Sequence, residues 1–342
     1  MMRAHQMFCA AASFVMAQSA AAAPRFTVRL ASTAPDGTAW SRELKDFAHE
    51  VSERSGGEVE IKLYLGGIAG SELGAEERVR RGQLDGVLSG GMMCQRQIPT
   101  MRALHLLGLL RSREEARFVL ERLRGELADE ALASGYAMLG AGDLGPEVVF
   151  TRSSARTLDE LKKLRLWRWD LDETGTAMWR EMGFQPIALP VENASRAYDK
   201  GELDGFVGIP TAALAFQWFH RARYYLPLDS AYLAGCLLVA AKSYEKLGDQ
   251  HKRALREAAE HLAGRISELN AREDERLTGE LFVKQGVQPV ALAPAVRNEF
   301  FALARAAREK LGEKLAPARL VRRVLDLLAE HRQSRPVEGR AQ

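Results

Sequence analysis

Cysteine is scarce in this sequence of 342 residues, which contains three, and only Cys94 and Cys236 lie beyond the first ten residues. Two cysteines cannot build the disulfide framework of a small secreted scaffold. The sequence leaves open a single disulfide bridge between them. Both stand in apolar segments, MMC and GCLLVA, where a free buried thiol is the more common state. We therefore expect two free thiols.

Neither sign of charge dominates, because 48 Lys+Arg face 45 Asp+Glu and the formal net charge is only +3. This balance gives no support to a nucleic-acid partner or to an anionic membrane surface. Long apolar runs are also missing, since the apolar run from Met7 to Ala17 is roughly half of the ~20 residues that a membrane-spanning helix requires and no later segment is free of charge over that required length. The sequence therefore predicts a protein that is not itself embedded in a membrane.

Catalytic and metal-binding signatures are absent as well. There is no G-x-S-x-G, the seven histidines are scattered, and His49-Glu50 lacks the second histidine of H-E-x-x-H. The segment GAGDLG at 140–145 matches the dinucleotide pattern G-x-G-x-x-G, but Pro146 and the strand-like VVFT follow it where a helix is required. We interpret it as a hinge or cleft loop, and the sequence predicts no enzyme, no cofactor and no metal.

The amino-terminal segment has the layout of a signal peptide. Arg3 precedes an apolar run from Met7 to Ala17, and small residues follow at 19–23. We assign residues 1–23 to the signal and expect cleavage within 20–23. Cys9 is preceded by the bulky Phe8, which argues against a lipid anchor. A periplasmic location follows from this assignment.

The rest of the chain alternates strands and helices. Alternating apolar residues predict strands at 26–30 and 58–65 around a helix, and a further helix opening at Gly70 leads to a strand at 84–89. These units predict a parallel, doubly wound sheet. A second set of such units after residue 146 predicts a second lobe.

The predicted fold is α/β, a two-lobed periplasmic binding protein fold with a long helix spanning both lobes. Apolar residues at three- and four-residue steps place that helix from Gln250 to about Phe282, where it would reach about 50 Å. The predicted division is a signal peptide at 1–23, lobe I at 24–145 with a return segment at about 233–255, lobe II at 146–232 with part of 256–320, and a C-terminal helix and tail at 321–342.

The run LRLWRW is the most informative local feature. Side chains alternate along a strand, so Trp167 and Trp169 share one face while Leu166 and Arg168 share the other. Two tryptophans on one face suit the wall of a site for an apolar ligand. A place in the hydrophobic core explains the same spacing equally well.

Five segments, taken in order, resemble the solute-binding proteins of tripartite ATP-independent periplasmic (TRAP) transporters across essentially the whole chain after the signal peptide. They are ERSGGEVEIKLYLGGIAGSE at 53–72, RRGQLDGVLSGG at 80–91, TLDELKKLRLWRW at 157–169, MGFQPIALPVENASRAYDKGELDG at 182–205 and VAAKSYEKL at 239–247. The resemblance implies two α/β lobes joined by crossing strands. It also implies a small organic ligand held between them and delivered to TRAP membrane permease subunits.

Two departures from the family pattern bear on the ligand. In many members an arginine in the strand after an LKGLK-like turn binds the ligand carboxylate through a two-point ion pair. Aligning 161–166 with that turn puts Trp167 in the arginine's place and leaves Arg168 on the opposite face, from which only a bulge would return it. The asparagine commonly found after the Asp-Gly pair falls near Gly208. We expect a ligand that is more apolar than a dicarboxylate, with a hydrophobic or aromatic acid as one class.

The candidate ligand-binding residues come from these alignments. Those near the two departures are Trp167, Arg168, Trp169, Phe206, Gln217 and Trp218. Those carried over by loop position are Trp40, Glu72, Met92, Met93 and Asp143. A periplasmic sensor that docks to a membrane receptor has the same sequence features, and an exported enzyme with an unusual site is a third reading.

Overall fold

The computed structural model describes residues 23–334. The predicted signal peptide lies outside the described residues except for Ala23, and residues 335–342 of the predicted tail lie outside them too.

The strands are β1 (Phe26–Ala31), β2 (Val59–Tyr64), β3 (Gly86–Ser89), β4 (Tyr136–Pro146), β5 (Val148–Thr151), β6 (Arg165–Trp169), β7 (Gln185–Leu189), β8 (Gly205–Gly208), β9 (Tyr224–Leu226), β10 (Tyr232–Ala240) and β11 (Gln288–Pro289). The α-helices are α1 (Ala39–Arg54), α2 (Glu72–Arg80), α3 (Met92–Gln97), α4 (Pro99–Leu104), α5 (Arg113–Arg122), α6 (Arg124–Ala133), α7 (Leu158–Lys162), α8 (Glu173–Glu181), α9 (Val191–Asp199), α10 (Pro210–Ala215), α11 (Ala241–Tyr244), α12 (Asp249–Arg276), α13 (Phe282–Lys284), α14 (Pro294–Leu311) and α15 (Ala318–Ser334). Short 3-10 turns lie at Trp218–Arg221 and Gly312–Lys314, and a π-helical turn at Leu277–Leu281 joins α12 to α13.

Two separate sheets organise the molecule. The first has the strand order β2-β1-β3-β10-β4, and we call the part built on it lobe I; the second has the order β11-β9-β5-β8-β6-β7, and we call the part built on it lobe II. Both sheets are mixed, because β10 runs antiparallel to β3 and β4, and β5 runs antiparallel to β8 and β9. The prediction of a parallel sheet is thus correct for β1 with β2 and β3 and wrong for the strands that enter or leave the other lobe.

The glycine-containing segment at 140–145 is a strand and not the predicted loop. It lies within β4, which pairs along its whole length with β10 and is interrupted only by two register shifts. The shift between Leu233 and Ala234 lies near the end of β4 that leads into lobe II. Backbone pairing with a long neighbouring strand therefore overrides the loop tendency of the glycines.

Two short segments connect the lobes, one between β4 and β5 and one between β9 and β10. They are bonded to each other at Glu147, whose amide donates to the carbonyl of Ala231 (2.8 Å) while its carbonyl accepts from the amide of Ser230 (3.1 Å). The crossing point therefore consists of two adjacent segments of the chain that are hydrogen bonded to each other.

The long helix α12 contacts both lobes. It packs against α1 and β4 of lobe I and against α10 of lobe II. Its 28 residues span about 42 Å at 1.5 Å per residue, somewhat less than predicted because the π-helical turn begins at Leu277. The helix α15 lies against α4 and α5, and α14 lies against α8.

Cys94 and Cys236 form a disulfide bond, with 5.9 Å between their Cα atoms. The expectation of two free thiols is wrong. The apolar surroundings suggested free thiols because local sequence carries no information on distance, whereas the fold brings α3 against β10. The bridge ties the first helix after β3 to the strand that returns from lobe II.

Candidate functional site

A cavity of about 190 Å³ lies where residues of both lobes meet. Lobe I supplies the segments that follow β1 and β3, and lobe II supplies the segments that follow β6 and β8. The carboxyl ends of parallel strands are the usual place for ligands in α/β sheets. One face of α12 closes the wall through Ala259, Leu262, Ala263 and Ile266, which are spaced as neighbours along one helix face.

Most side chains of the wall are apolar. The aromatic ones include Phe216 and four tryptophans, and leucine, isoleucine and valine fill much of the rest. Six of the eleven predicted ligand-binding residues belong to the wall: Trp40, Met92, Trp167, Arg168, Trp169 and Trp218. Such a lining suits a ligand whose body is apolar.

The indole of Trp167 is fixed on two sides. Its Nε1 donates to the carbonyl of Leu189 on the neighbouring strand β7 at 2.9 Å, and its ring meets that of Trp218 edge-on with centroids 4.7 Å apart. Phe216 stacks on Trp218 with centroids 5.2 Å apart. Because the polar atom of Trp167 is already bonded, the face that it offers to the cavity is apolar.

Arg168 also lines the cavity, although the strand has no bulge there. The register of β6 with β7 is regular, and Arg168 lies opposite Ala188. The expectation that only a bulge could bring this side chain to the cavity is therefore wrong. Its Nη1 donates to Glu147 at 2.9 Å, and its Nη2 donates to Asp172, which together hold the guanidinium at the wall.

The Arg168 cluster, which we define as Arg168, Glu147, Asp172 and His105, is buried throughout. Burial by itself lowers the pKa of Arg168, but the two carboxylates outweigh burial and raise this pKa above its ordinary value. Burial raises the pKa of Asp172, and the charges of Arg168 and His105 with the hydrogen bonds that Asp172 accepts outweigh burial and lower it. The guanidinium and the Asp172 carboxylate therefore stay ionised together.

The same cluster contains the one grouping of metal-ligand type found among residues 23–334. Donor atoms of His105, Glu147 and Asp172 lie within 4.8 Å of one another. The guanidinium of Arg168 already donates to both carboxylates, so this position is taken by an organic cation.

Glu72 and Met93 support the wall from behind and are not part of it. The carboxylate of Glu72 accepts from the Ser89 hydroxyl (2.8 Å), the Gly90 amide (2.7 Å) and the Met93 amide (2.8 Å). Burial raises the pKa of Glu72 in spite of these three donors. Its position after the Gly-Ser pair thus serves to hold the turn from β3 to α3, which carries Met92 into the wall.

Asp143, Phe206 and Gln217 are the other predicted residues outside the wall. Asp143 is buried against Arg113 on the side of β4 that faces α5. Phe206 stacks on Phe150 in the core of lobe II, with centroids 4.7 Å apart. Gln217 is exposed and has a left-handed backbone, with φ of 57°, where it starts the turn that carries Trp218.

Sequence reasoning missed Glu147 and Asp172. Glu147 belongs to the crossing point, and no periodic pattern marks that position. Asp172 had a readable signal, because an aspartate before ETGT at the start of a helix is a common amino-terminal cap. It caps α8 by accepting from the Gly175 amide at 2.9 Å, and this bond fixes the carboxylate for Arg168.

Gly140 and Gly142 allow α12 to lie directly on β4. A Cβ atom added at Gly140 would come within 2.9 Å of the Ala259 carbonyl, and one at Gly142 within 3.0 Å of the Ala263 carbonyl. Both glycines also line the cavity. Close packing of helix on strand therefore explains the spacing that imitates a dinucleotide motif.

Among residues 23–334, none of the helices combines the length and the apolar character that crossing a membrane requires.

Comparison with known proteins gives a consistent family. The family model described as bacterial extracellular solute-binding protein, family 7 (DctP) matches residues 30–314. A solute-binding protein from Chromohalobacter salexigens is 26% identical over 231 residues, which cover 67% of this chain and 67% of that protein.

Solved structures show the same fold. A TRAP periplasmic solute-binding protein from Haemophilus influenzae RdAW with bound L-gulonate matches with a TM-score of 0.81 and 18% identity, covering 88% of this chain and 99% of that chain. DctP7 from Bordetella pertussis, an extracytoplasmic solute receptor binding pyroglutamic acid, matches with a TM-score of 0.80 and 18% identity over 89% and 99%.

The predicted two-lobed α/β fold with a long helix contacting both lobes is confirmed by these likenesses and by the two sheets that α12 joins. The match to the family model extends from β1 to the end of α14, so it includes both lobes and the cavity between them. The chain belongs to the bacterial extracellular solute-binding protein family 7, the family of TRAP transporter solute-binding proteins.

Proposed function

We propose that this protein is the periplasmic receptor of a TRAP transporter, and that it captures a small ligand with an apolar or aromatic body and delivers it to membrane permease subunits without chemical change. Family membership supports the binding role. The signal-peptide layout of residues 1–23 supports export. The wall of the cavity supports an apolar or aromatic body for the ligand.

The single observation that carries the choice of ligand is the indole of Trp167 in the wall, at the position where many family members have a ligand-binding arginine. An indole has one donor and no charge, and here the donor is bonded to Leu189. A dicarboxylate placed against this face would lose water and gain no ion pair, at a cost of several kcal/mol. An apolar ring in the same place would gain about 25 cal/mol per Å² buried.

Gly208 supports the same conclusion. It lies in the wall, near the position of the family's polar asparagine, and a Cβ atom added there would meet nothing within 4 Å. The side-chain volume that a polar residue would fill is therefore part of the cavity. This chain offers space to the ligand where its relatives offer an amide.

The crossing point supports capture by closure. The two bonded segments at Glu147, the helix α12 and the segment from α14 to α15 contact both lobes, so these connections must deform when the lobes move relative to each other. Glu147 also lines the cavity, so a ligand that touches its side chain acts directly on this point.

Calorimetry with defined compounds tests the proposed ligand class. Succinate, L-malate and L-gulonate should show no binding at millimolar concentration, whereas single-ring aromatic compounds such as 2-phenylethanol should bind. Trp167→Leu, which keeps an apolar side chain but removes the indole, should weaken that binding at least tenfold. Trp179→Leu is the matched control, because Trp179 is buried outside the wall.

Tight binding of succinate or L-malate by the wild-type protein would contradict the proposed ligand class. Transport itself is tested in vesicles that contain the permease subunits, where uptake should require both this protein and an ion gradient. Binding to a membrane histidine kinase with no effect on uptake would favour a sensor instead.

A further inference from the structure

The charges of the wall point to the polar end of the ligand. Arg168 is the single lysine or arginine of the wall within the described range, and the acidic residues of the wall are Glu147 and Asp172. Within the wall one guanidinium faces two carboxylates, and His105, whose charge also acts on Asp172, lies outside the wall. The cation that a ligand carboxylate would meet in the described wall is Arg168, whose Nη1 and Nη2 are already paired with these two carboxylates and whose Nε alone has no partner.

Turning Arg168 toward a ligand would break two buried ion pairs and lower the stability of the protein. Its Nη1 donates to Glu147 at 2.9 Å and its Nη2 donates to Asp172, and the side chain is only 2% exposed. Turning the guanidinium to a ligand acid would leave two buried carboxylates without their common partner. Breaking a buried ion pair in this way is strongly destabilising.

The oxygens of the two carboxylates differ in what they already accept. In Asp172, one oxygen accepts from the Gly175 amide and the other accepts from Arg168. In Glu147, Oε2 accepts from Arg168 and from the Ser230 hydroxyl at 3.3 Å. Oε1 of Glu147 accepts no hydrogen bond from any residue between 23 and 334, and Nε2 of His105 lies 4.0 Å from it.

His105 does not fill the vacancy at Oε1. Its Nδ1 is hydrogen bonded to the side-chain amide of Gln95 at 2.9 Å, which orients the ring from the lobe I side. Its Nε2 is buried and has no hydrogen-bond partner within the described chain. The wall therefore contains a carboxylate oxygen, Oε1 of a buried glutamate, that accepts no hydrogen bond within the described chain and lies beside an apolar cavity.

We propose that the ligand carries a hydrogen-bond donor, an alcohol or an amine and not a carboxylate, at its polar end, and that Oε1 of Glu147 accepts from it. This inference rests on the proposed function, because the apolar body of the ligand must first occupy the cavity beside Trp167. It departs from the sequence-based expectation of an aromatic acid. The cavity of about 190 Å³ is close to the size that holds one benzene ring, so the donor sits on a ring-sized body with a short side chain.

Three probes with one common body test the inference: 2-phenylethylamine, 2-phenylethanol and phenylacetate. The wild-type protein should bind the amine or the alcohol at least tenfold more tightly than the acid in calorimetry at pH 7. Glu147→Gln keeps the shape of the side chain and removes its charge, so it should reduce the preference for the amine over the acid at least fivefold.

Asp143→Asn is the matched control. Asp143 is a buried aspartate that also pairs with an arginine, but it lies outside the wall and should not change the order of the three probes. If Glu147→Gln fails to fold, the wild-type order of affinities still decides the question. The thermal shift of each protein without ligand checks folding.

The outcomes separate the two proposals. Tightest binding of phenylacetate would overturn the inference and leave the apolar ligand class standing. Failure of all three probes to bind at millimolar concentration, together with tight binding of L-gulonate or succinate, would overturn the proposed ligand class and this inference with it. An unchanged order of probes in Glu147→Gln would show that Oε1 is not the acceptor.

Discussion

The indoles of Trp167 and Trp218 meet edge to face in the wall of the cavity, with their ring centroids 4.7 Å apart. One comes from a strand and the other from a turn 51 positions later in the chain, so lobe II must be folded for the pair to form. Because both residues pack in the core of lobe II and also line the cavity, a change in either one affects the stability of lobe II and the shape of the ligand site.

Trp167→Ala and Trp169→Ala should separate stability from binding. Trp167 is buried and hydrogen bonded, so its truncation should lower the free energy of unfolding by about 3–5 kcal/mol. Truncation of the half-buried Trp169 should lower it by less than half of that amount. Both line the cavity, so both should weaken the binding of an aromatic probe. Denaturant unfolding and calorimetry on the same samples measure the two effects. Equal stability losses would contradict the role assigned to the Trp167 hydrogen bond.

Reduction of the Cys94–Cys236 disulfide should lower stability by about 2–5 kcal/mol, because the bond closes a long loop in the unfolded chain. The melting temperature of the wild-type protein should fall when a reductant is present during unfolding. The double variant Cys94→Ser with Cys236→Ser should melt at a low temperature with or without reductant. A reductant effect of the same size in the double variant would point to some other target.

The Asp274 carboxyl should make stability fall as the pH rises. Burial raises the pKa of Asp274 to about 7; Arg113 opposes this and the nearby Asp143 adds to it. The folded protein thus holds a proton that the unfolded chain releases near pH 4, so this contribution is present below about pH 4 and lost as the pH rises through about 7. Asp274→Asn should therefore gain stability relative to the wild type between pH 5 and pH 8 in thermal unfolding.

Asp85 provides the control of opposite sign. Burial raises the pKa of Asp85, but the hydrogen bonds and charge of Arg29, with a further bond from Ser243, outweigh burial and lower it. Its contribution to stability is present above the unfolded pKa and is lost as the pH falls below about 4. Asp85→Asn should differ most from the wild type at neutral pH and least in acid. A shared pH profile for the two variants would contradict both assignments.

Gly140→Ala should destabilise the protein by about 1–3 kcal/mol, because the added methyl group would press on the carbonyl of Ala259 in α12. It should also weaken ligand binding, since both residues line the cavity. Gly125→Ala is the control, as Gly125 lies exposed in α6 with nothing within 4 Å of an added Cβ, and should stabilise by about 0.5–1 kcal/mol. Denaturant unfolding measures both.

The sequence was sufficient to predict the strands and helices that follow a regular local pattern of apolar residues. The strands β1, β2, β5 and β6 and the long helix α12 carry regular apolar patterns, and their predicted bounds lie within a few residues of the observed ones. The family resemblance added the two lobes. The alternation in β6 also correctly placed Trp167 and Trp169 together, with both packed against the core of lobe II.

The features that the sequence did not predict depend on contacts between residues that are far apart in the chain. The segment at 140–145 is rich in glycine, and only its pairing with β10 makes it a strand. The disulfide joins residues 142 positions apart. Glu147 and Arg168 are 21 positions apart, and nothing near either of them in sequence indicates that one neutralises the other. The cavity polarity could therefore not be read before the fold was known.

For the export to the periplasm that we propose, the disulfide also sets an order of events. Between Cys94 and Cys236 lie all of the strands of lobe II except β11, so the bond closes around most of that lobe. A chain that crosses the inner membrane from its amino end exposes Cys94 long before Cys236. In that proposed route the thiol of Cys94 stays reduced, or exchanges partners, until about two thirds of the chain has emerged, and the native bond forms only after Cys236 has crossed the membrane.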